Sequence, residues 1–280
     1  MPNSEFMFSQ SLVNGMLTVV VVCILLPVFY LIYYTFKKKI VIPSAVLGIV
    51  GFFVFGYLIS GLLLGNIAPK DSAAANPALY AALRSVCVAV AEAGGFFVMM
   101  HFLRRRCDEI STPISYAFGY PLVDMLLVGG ANSFVRMAEA YTVNTKGLDE
   151  VLASVEGEAV AILRQELFDL AQTQPHVYFL SAVDYICVFC IVVAICRIMW
   201  YAVHEEGKTK IILAVIGVVF KLAAEFPVAL YQGGGTDNYV ACQVIRYAVT
   251  LLCVGFAILM HFKYDEKEQV TAGPLNRRLL

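Results

Sequence analysis

The feature that most constrains this chain is a series of seven long apolar runs: Leu12 to Phe36, Val41 to Ile67, Pro77 to Leu103, Ile114 to Phe134, Val177 to Val203, Ile211 to Gln232 and Tyr239 to Phe262. Each has the roughly 20 residues that a helix needs to cross a hydrocarbon layer about 30 Å thick. No water is available at that depth to satisfy a peptide group, so each run must close its own hydrogen bonds as a helix. The runs predict an all-α, polytopic membrane helical bundle of seven transmembrane helices in contact with the lipid bilayer. Composition closes off the soluble alternative: 15% of the 280 residues are charged, against about 25% in soluble domains. With a net charge of −1 and no basic segment of domain size, nucleic-acid binding is excluded as well.

The remaining charges divide the ends of the runs. Lys37, Lys38, Lys39, Arg104, Arg105, Arg106, Lys208, Lys210, Lys263, Lys267, Arg277 and Arg278 fall on one side if the spans alternate. Lys70, Lys146 and Arg164 are scattered on the other. The positive-inside rule then places the N-terminus outside and the C-terminus in the cytoplasm, as expected for a multi-pass protein of a cell membrane. Residues 1–11 are read as an outer segment, 12–262 as the transmembrane domain and 263–280 as a cytoplasmic tail. The first run is too long for a signal-peptide core and is read as an uncleaved helix. The polar insertion 137–176 is acidic, with Val151, Leu152, Val155, Leu163, Leu167 and Leu170 at helical spacing. That pattern suits an amphipathic helix over the bundle mouth or on the membrane surface, as a structural cap or as a substrate lid. Pro27, Pro43, Pro121 and Pro227 lie inside or near the start of spans and are expected to bend them.

Three other patterns receive plain readings. Of the eight cysteines, Cys187 and Cys190 form a C-x-x-C. It lies on one turn of an apolar helix, with no second pair at metal-site spacing, so packing is expected. Gly61 and Gly65 form a G-x-x-x-G, read as close packing within the bundle, with a homodimer face as the alternative. The four histidines, His101, His176, His204 and His261, stand at span ends or in loops. No histidine is therefore offered at mid-membrane depth for zinc or for activating water, and no metal or other cofactor is expected.

Ionisable groups inside a span are costly and mark function or an obligatory pair. Five are counted near mid-span: Glu92, Asp124, Asp184, Lys221 and Glu225. At 1.5 Å per residue, Glu92 lies about 22 Å along its helix from Pro77 and about 18 Å from Arg104. Lys221 and Glu225, four residues apart, share a helix face and can pair. Four carboxyls against one ammonium leave an excess of negative groups. These must be protonated, solvated in a cavity, bound to a cation or hydrogen-bonded to groups such as Tyr120, Tyr185 and Tyr231. A polar network that only fixes helix register is the alternative to a site.

Several strings, in order across three helices, carry a resemblance. They are Asn76-Pro77-Ala78-Leu79-Tyr80-Ala81, then Glu92-Ala93-Gly94-Gly95-Phe96, then Gly119-Tyr120-Pro121-Leu122-Val123-Asp124 continuing to Gly129-Gly130, and Glu225-Phe226-Pro227-Val228-Ala229-Leu230-Tyr231-Gln232. Together they resemble the YhfC family of bacterial multipass proteins, a branch of the CAAX-type glutamic intramembrane protease superfamily. The resemblance runs from about Leu12 to Phe262. It implies a site in which a third-helix Glu activates water, aided by His residues of later helices and an Asp or Asn. Carried over residue by residue, it points to Glu92, Tyr120, Asp124, Lys221 and Glu225. It also shows departures. The family's second Glu is Ala93, its Arg is Phe96, its fourth-helix His is Tyr120 with Glu shortened to Asp124, and its sixth-helix His and Asp are Lys221 and Glu225.

A Glu takes a proton from water only if it is ionised and donors stabilise the developing oxyanion. A phenol and an ammonium are donors, but neither is poised near neutral pH as imidazole is, and a salt-bridged Glu is a weaker base. The expectation is a catalytically impaired relative acting as a membrane scaffold or binding protein, with transmembrane or lipidated peptides as candidate partners and the oligomeric state open. The alternatives are a residual Glu-dependent intramembrane endopeptidase and a cation- or proton-coupled transporter.

Overall fold

The structure is a computed structural model, and it describes residues 7–36, 40–69, 76–153 and 155–271. The basic residues Lys37, Lys38, Lys39, Lys70, Arg277 and Arg278 used for orientation lie outside the described residues. Among those described, the regular structure is entirely helical: α1 (Gln10–Phe36), α2 (Ile42–Ile67), α3 (Pro77–Arg104), α4 (Thr112–Lys146), α5 (Leu148–Leu152), α6 (Glu158–Gln172), α7 (Pro175–His204), α8 (Gly207–Gln232) and α9 (Tyr239–Thr271). Seven of them, all but α5 and α6, are long and apolar enough to cross a membrane. Large side chains such as Leu251, Leu252, Leu259 and Ile211 are exposed on their surfaces. That exposure fits a lipid solvent, because the hydrocarbon is as apolar as the residues themselves.

The chain forms two compact units, with α4 and α7 contributing to both. The first holds residues 1–38 and 122–186. Its core joins Phe8, Leu12 and Met16 to Ala140, Val143, Val151, Leu167 and Leu170. The Asn144 side chain clamps the chain ahead of α1, accepting from the Phe8 N–H at 2.7 Å and donating to the Phe8 carbonyl at 2.9 Å. Arg136 ties α4 to α6 through Glu166 at 2.7 Å. Gly129 makes a close approach possible: a Cβ there would meet the Tyr185 ring and the Cys23 sulfur.

The insertion differs from its expected outline. Instead of one amphipathic helix after a span ending at Phe134, α4 continues to Lys146, and α5 and α6 follow. The backbone ladder does not stop where polarity rises, because Ala140 and Val143 still bury against α1 residues.

The second unit holds residues 39–121 and 187–280. The N-terminus of α3 is built by Asn76, whose side chain accepts from the Leu79 N–H at 3.1 Å, with Pro77 in the first turn. This cap and proline are a favoured start, since that end leaves N–H groups without helical partners. Tyr80 packs against Gly233, just past α8. Its hydroxyl accepts from Arg84 at 3.2 Å. The string Asn76 to Ala81 thus acts as a helix start and a packing corner.

Glycines bring α2 onto its neighbours. A Cβ on Gly48 or Gly119 would run into backbone carbonyls of the facing helix, one on Gly51 into the Tyr116 hydroxyl, and one on Gly95 into the Phe55 ring. Gly61 and Gly65, by contrast, are exposed, and a Cβ added at either would have nothing within 4 Å. The G-x-x-x-G expected to pack within the bundle faces outward instead, and the close packing falls to Gly48, Gly51 and Gly56. The middle of α2, Phe52–Ile59, is π-helical. Of the prolines expected to bend spans, Pro27, Pro121 and Pro227 lie inside helices, while Pro43 sits in the first turn of α2.

Candidate functional site

Three of the five sequence-derived site residues meet in the second unit. Glu92 comes from the middle of α3, and Lys221 and Glu225 from α8, one turn apart. The Lys221 ammonium lies 2.8 Å from Glu92 Oε2 and 2.8 Å from Glu225 Oε1. Lys221 is only 4% exposed, so the two contacts stand in place of its hydration shell. Charge-assisted hydrogen bonds of this length, held away from water, are strong locally, although burying the ions costs several kcal/mol each.

Reading the sequence missed one member. Arg246 of α9 is 6% exposed, and its Nη2 lies 3.8 Å from Glu225 Oε1. With Arg246 included, two carboxylates face two cations within 4 Å. The negative excess expected from counting four carboxyls against one ammonium is therefore absent from this cluster. The signal was available: an Arg inside an apolar run carries the same cost as the Lys and Glu residues that were counted.

Tyr120 lies in the same unit at 3% exposure. Its ring makes edge contacts with Phe96 (4.6 Å between centroids) and Phe52 (5.5 Å), while a Cβ on Gly56 would lie 2.6 Å from its hydroxyl. Ala93 and Phe96, at the positions where the resembled motif has Glu and Arg, are fully buried in the apolar core around it. Asp124 and Asp184 belong to the first unit, Asp124 at the start of a π-helical stretch of α4, Asp124–Ala131, and Asp184 within α7.

A family model described as YhfC intramembrane metalloprotease matches residues 22–246. The chain belongs to the YhfC family. It is a multipass membrane protein, similar to the Uncharacterized membrane protein YhfC of Bacillus subtilis (strain 168), with 21% identity over 240 residues, covering 83% of this chain and 90% of that protein. No solved structure matches it.

The YhfC description names a metal, so the donors must be tested against one. A catalytic zinc takes three protein ligands, mostly His with Asp, Glu or Cys. Among the described residues no three His, Cys, Asp or Glu side chains group to hold an ion. Three histidines are engaged near the ends of the candidate spans: His204 with Asp108 at 2.7 Å, His261 with Arg197 at 2.9 Å, and His101 with Arg105 at 3.2 Å. His176 is the second residue of α7. Cys187 and Cys190 form no disulfide. The two carboxylates that do converge already share an ammonium. This donor set does not fit a resident metal.

Proposed function

We propose that this YhfC-family protein is catalytically impaired as an intramembrane protease and works as a membrane scaffold or binding protein, with Glu92, Tyr120, Asp124, Lys221 and Glu225 as inherited site positions. The observation that carries this reading is the buried ammonium of Lys221, 2.8 Å from both Glu92 and Glu225. A general base must offer its lone pair to water and gain a proton in the transition state. On Glu92 that gain would break an ion pair with an ammonium that is 4% exposed, so the step becomes harder where catalysis needs it easier. Tyr120, set among Phe52 and Phe96, offers a phenol where the resembled motif offers an imidazole. The peptides that such a scaffold would hold are transmembrane or lipidated segments, recognised from within the bilayer.

The test is reconstitution of the full chain in vesicles with single-span and prenylated peptides. Cleavage should stay at the level of protein-free vesicles, and Glu92→Ala should leave it unchanged, while crosslinking captures an intact peptide. Turnover that disappears in Glu92→Ala would establish the residual endopeptidase instead.

A further inference from the structure

We infer that Lys221 is a resident cation: its ammonium holds the position between Glu92 and Glu225 that a metal-based site would give to a divalent ion, and the cluster is complete without one. This builds on the reading of Glu92 as an ion-paired rather than a water-activating group.

Four observations lead there. The Lys221 Nζ lies 2.8 Å from one oxygen of each carboxylate, and the carboxylates come from different helices, α3 and α8. That is the bridging role of a metal between ligands from separate elements, carried out by a side chain. Next, the converging donors are too few for a metal. Zinc requires at least three good ligands and hard divalent ions about six oxygens, whereas two carboxylates meet here.

Charge adds a third argument. The Arg246 guanidinium, 3.8 Å from Glu225 Oε1, supplies a second positive charge, so an added divalent ion would meet two cations at close range in a low-dielectric site. Finally, Lys221 is tethered one turn from Glu225, so it is delivered to the site by the same helix and is never diluted away. A monovalent ammonium with three N–H donors matches two carboxylate oxygens at hydrogen-bond distance. A divalent ion would need shorter contacts, about 2.0–2.6 Å, and more of them.

An ordinary register-fixing ion pair and a resident cation predict different responses when the side chain is removed. The experiment uses the full chain purified in detergent. Wild-type protein should hold fewer than about one divalent metal ion per ten chains by plasma mass spectrometry, and its Tm should not move with EDTA or 1,10-phenanthroline. Lys221→Ala should lower Tm by about 10 °C. Millimolar methylammonium or propylammonium should restore at least half of that loss, whereas zinc or manganese should not. Rescue by the divalent ions, or by neither class, overturns the inference.

So does about one chelator-removable ion per wild-type chain whose loss lowers Tm, a result that stands even if Lys221→Ala fails to fold. The two readings separate cleanly. Peptide turnover by metal-free protein would defeat the impaired-protease reading and leave the resident cation standing, whereas bound metal without turnover would do the reverse.

Discussion

Lys221→Met removes the ammonium and keeps most of the side-chain volume, which makes it the sharpest probe of the cluster. Lys221 is 4% exposed and contacts two carboxylates, so water cannot take over its role. Stranding a buried charge in this way costs about 3–5 kcal/mol. The geometry also says where the cost falls. Glu225 keeps Arg246 at 3.8 Å, whereas Glu92, with its side chain 15% exposed, has no second ion pair among the described residues. Most of the loss should therefore sit on Glu92.

Adding Glu92→Gln to Lys221→Met should recover roughly 1–3 kcal/mol, the range for residues in direct contact, and should recover more than adding Glu225→Gln. The measurement is reversible unfolding in mixed micelles, followed by circular dichroism for the single mutants and both doubles. Equal losses in Lys221→Met and its Glu92→Gln double would remove the pair as an energetic unit. Greater rescue by Glu225→Gln would show that the charge balance has been assigned to the wrong carboxylate.

Glycine contacts give a contrast between tight and open positions. Gly119→Leu forces a side chain into the Ala45 carbonyl and should abolish the monodisperse folded peak in size-exclusion chromatography, while Gly61→Leu, with nothing within 4 Å, should keep that peak and leave stability unchanged or raised by up to about 1 kcal/mol. Asn144→Ala strips both hydrogen bonds from the Phe8 backbone, a loss of roughly 1–3 kcal/mol at about 0.5–1.5 each. It should appear as faster amide exchange across Phe8 to Leu12 with little change in α3 or α8.

The spans were legible because lipid leaves the backbone one solution, and Glu92, Lys221 and Glu225 were legible because a charge at that depth is expensive. Arg246 escaped for a related reason. One Arg in a run as apolar as Tyr239–Tyr264 barely lowers the average over a span-length window, so a reading led by averages passes over it. The glycines of α2 show a different limit. Gly51 and Gly56 are five apart, which puts them on different faces of a regular α-helix, yet both lie against α4 tyrosines, Tyr116 and Tyr120. The π-helical stretch Phe52–Ile59 closes its hydrogen bonds five residues apart and brings such positions back to one face. Nothing in a periodic pattern announces that change, whereas Gly61 and Gly65 fit a familiar spacing and face outward. The motif strings were visible as strings only. That Asn76 is a cap, or that Gly129 clears space for Tyr185, depends on helices distant in sequence.

The position of Lys221 and Glu225 on a single helix also bears on how the protein is made. A lone Lys or Glu at the centre of a span raises the cost of membrane insertion by about 2.5–3.5 kcal/mol, and α8 carries both. Because they are one turn apart and bonded at 2.8 Å, they can neutralise each other as soon as α8 becomes helical, before any other span has docked. The centre of α8 can then enter the bilayer nearly neutral, with Lys208 and Lys210 left at its start and a spare ammonium proton on one face. In the folded protein that face meets Glu92 of α3 at 2.8 Å. Such a pair would lower the barrier to insertion and favour a carboxylate-bearing neighbour for α8.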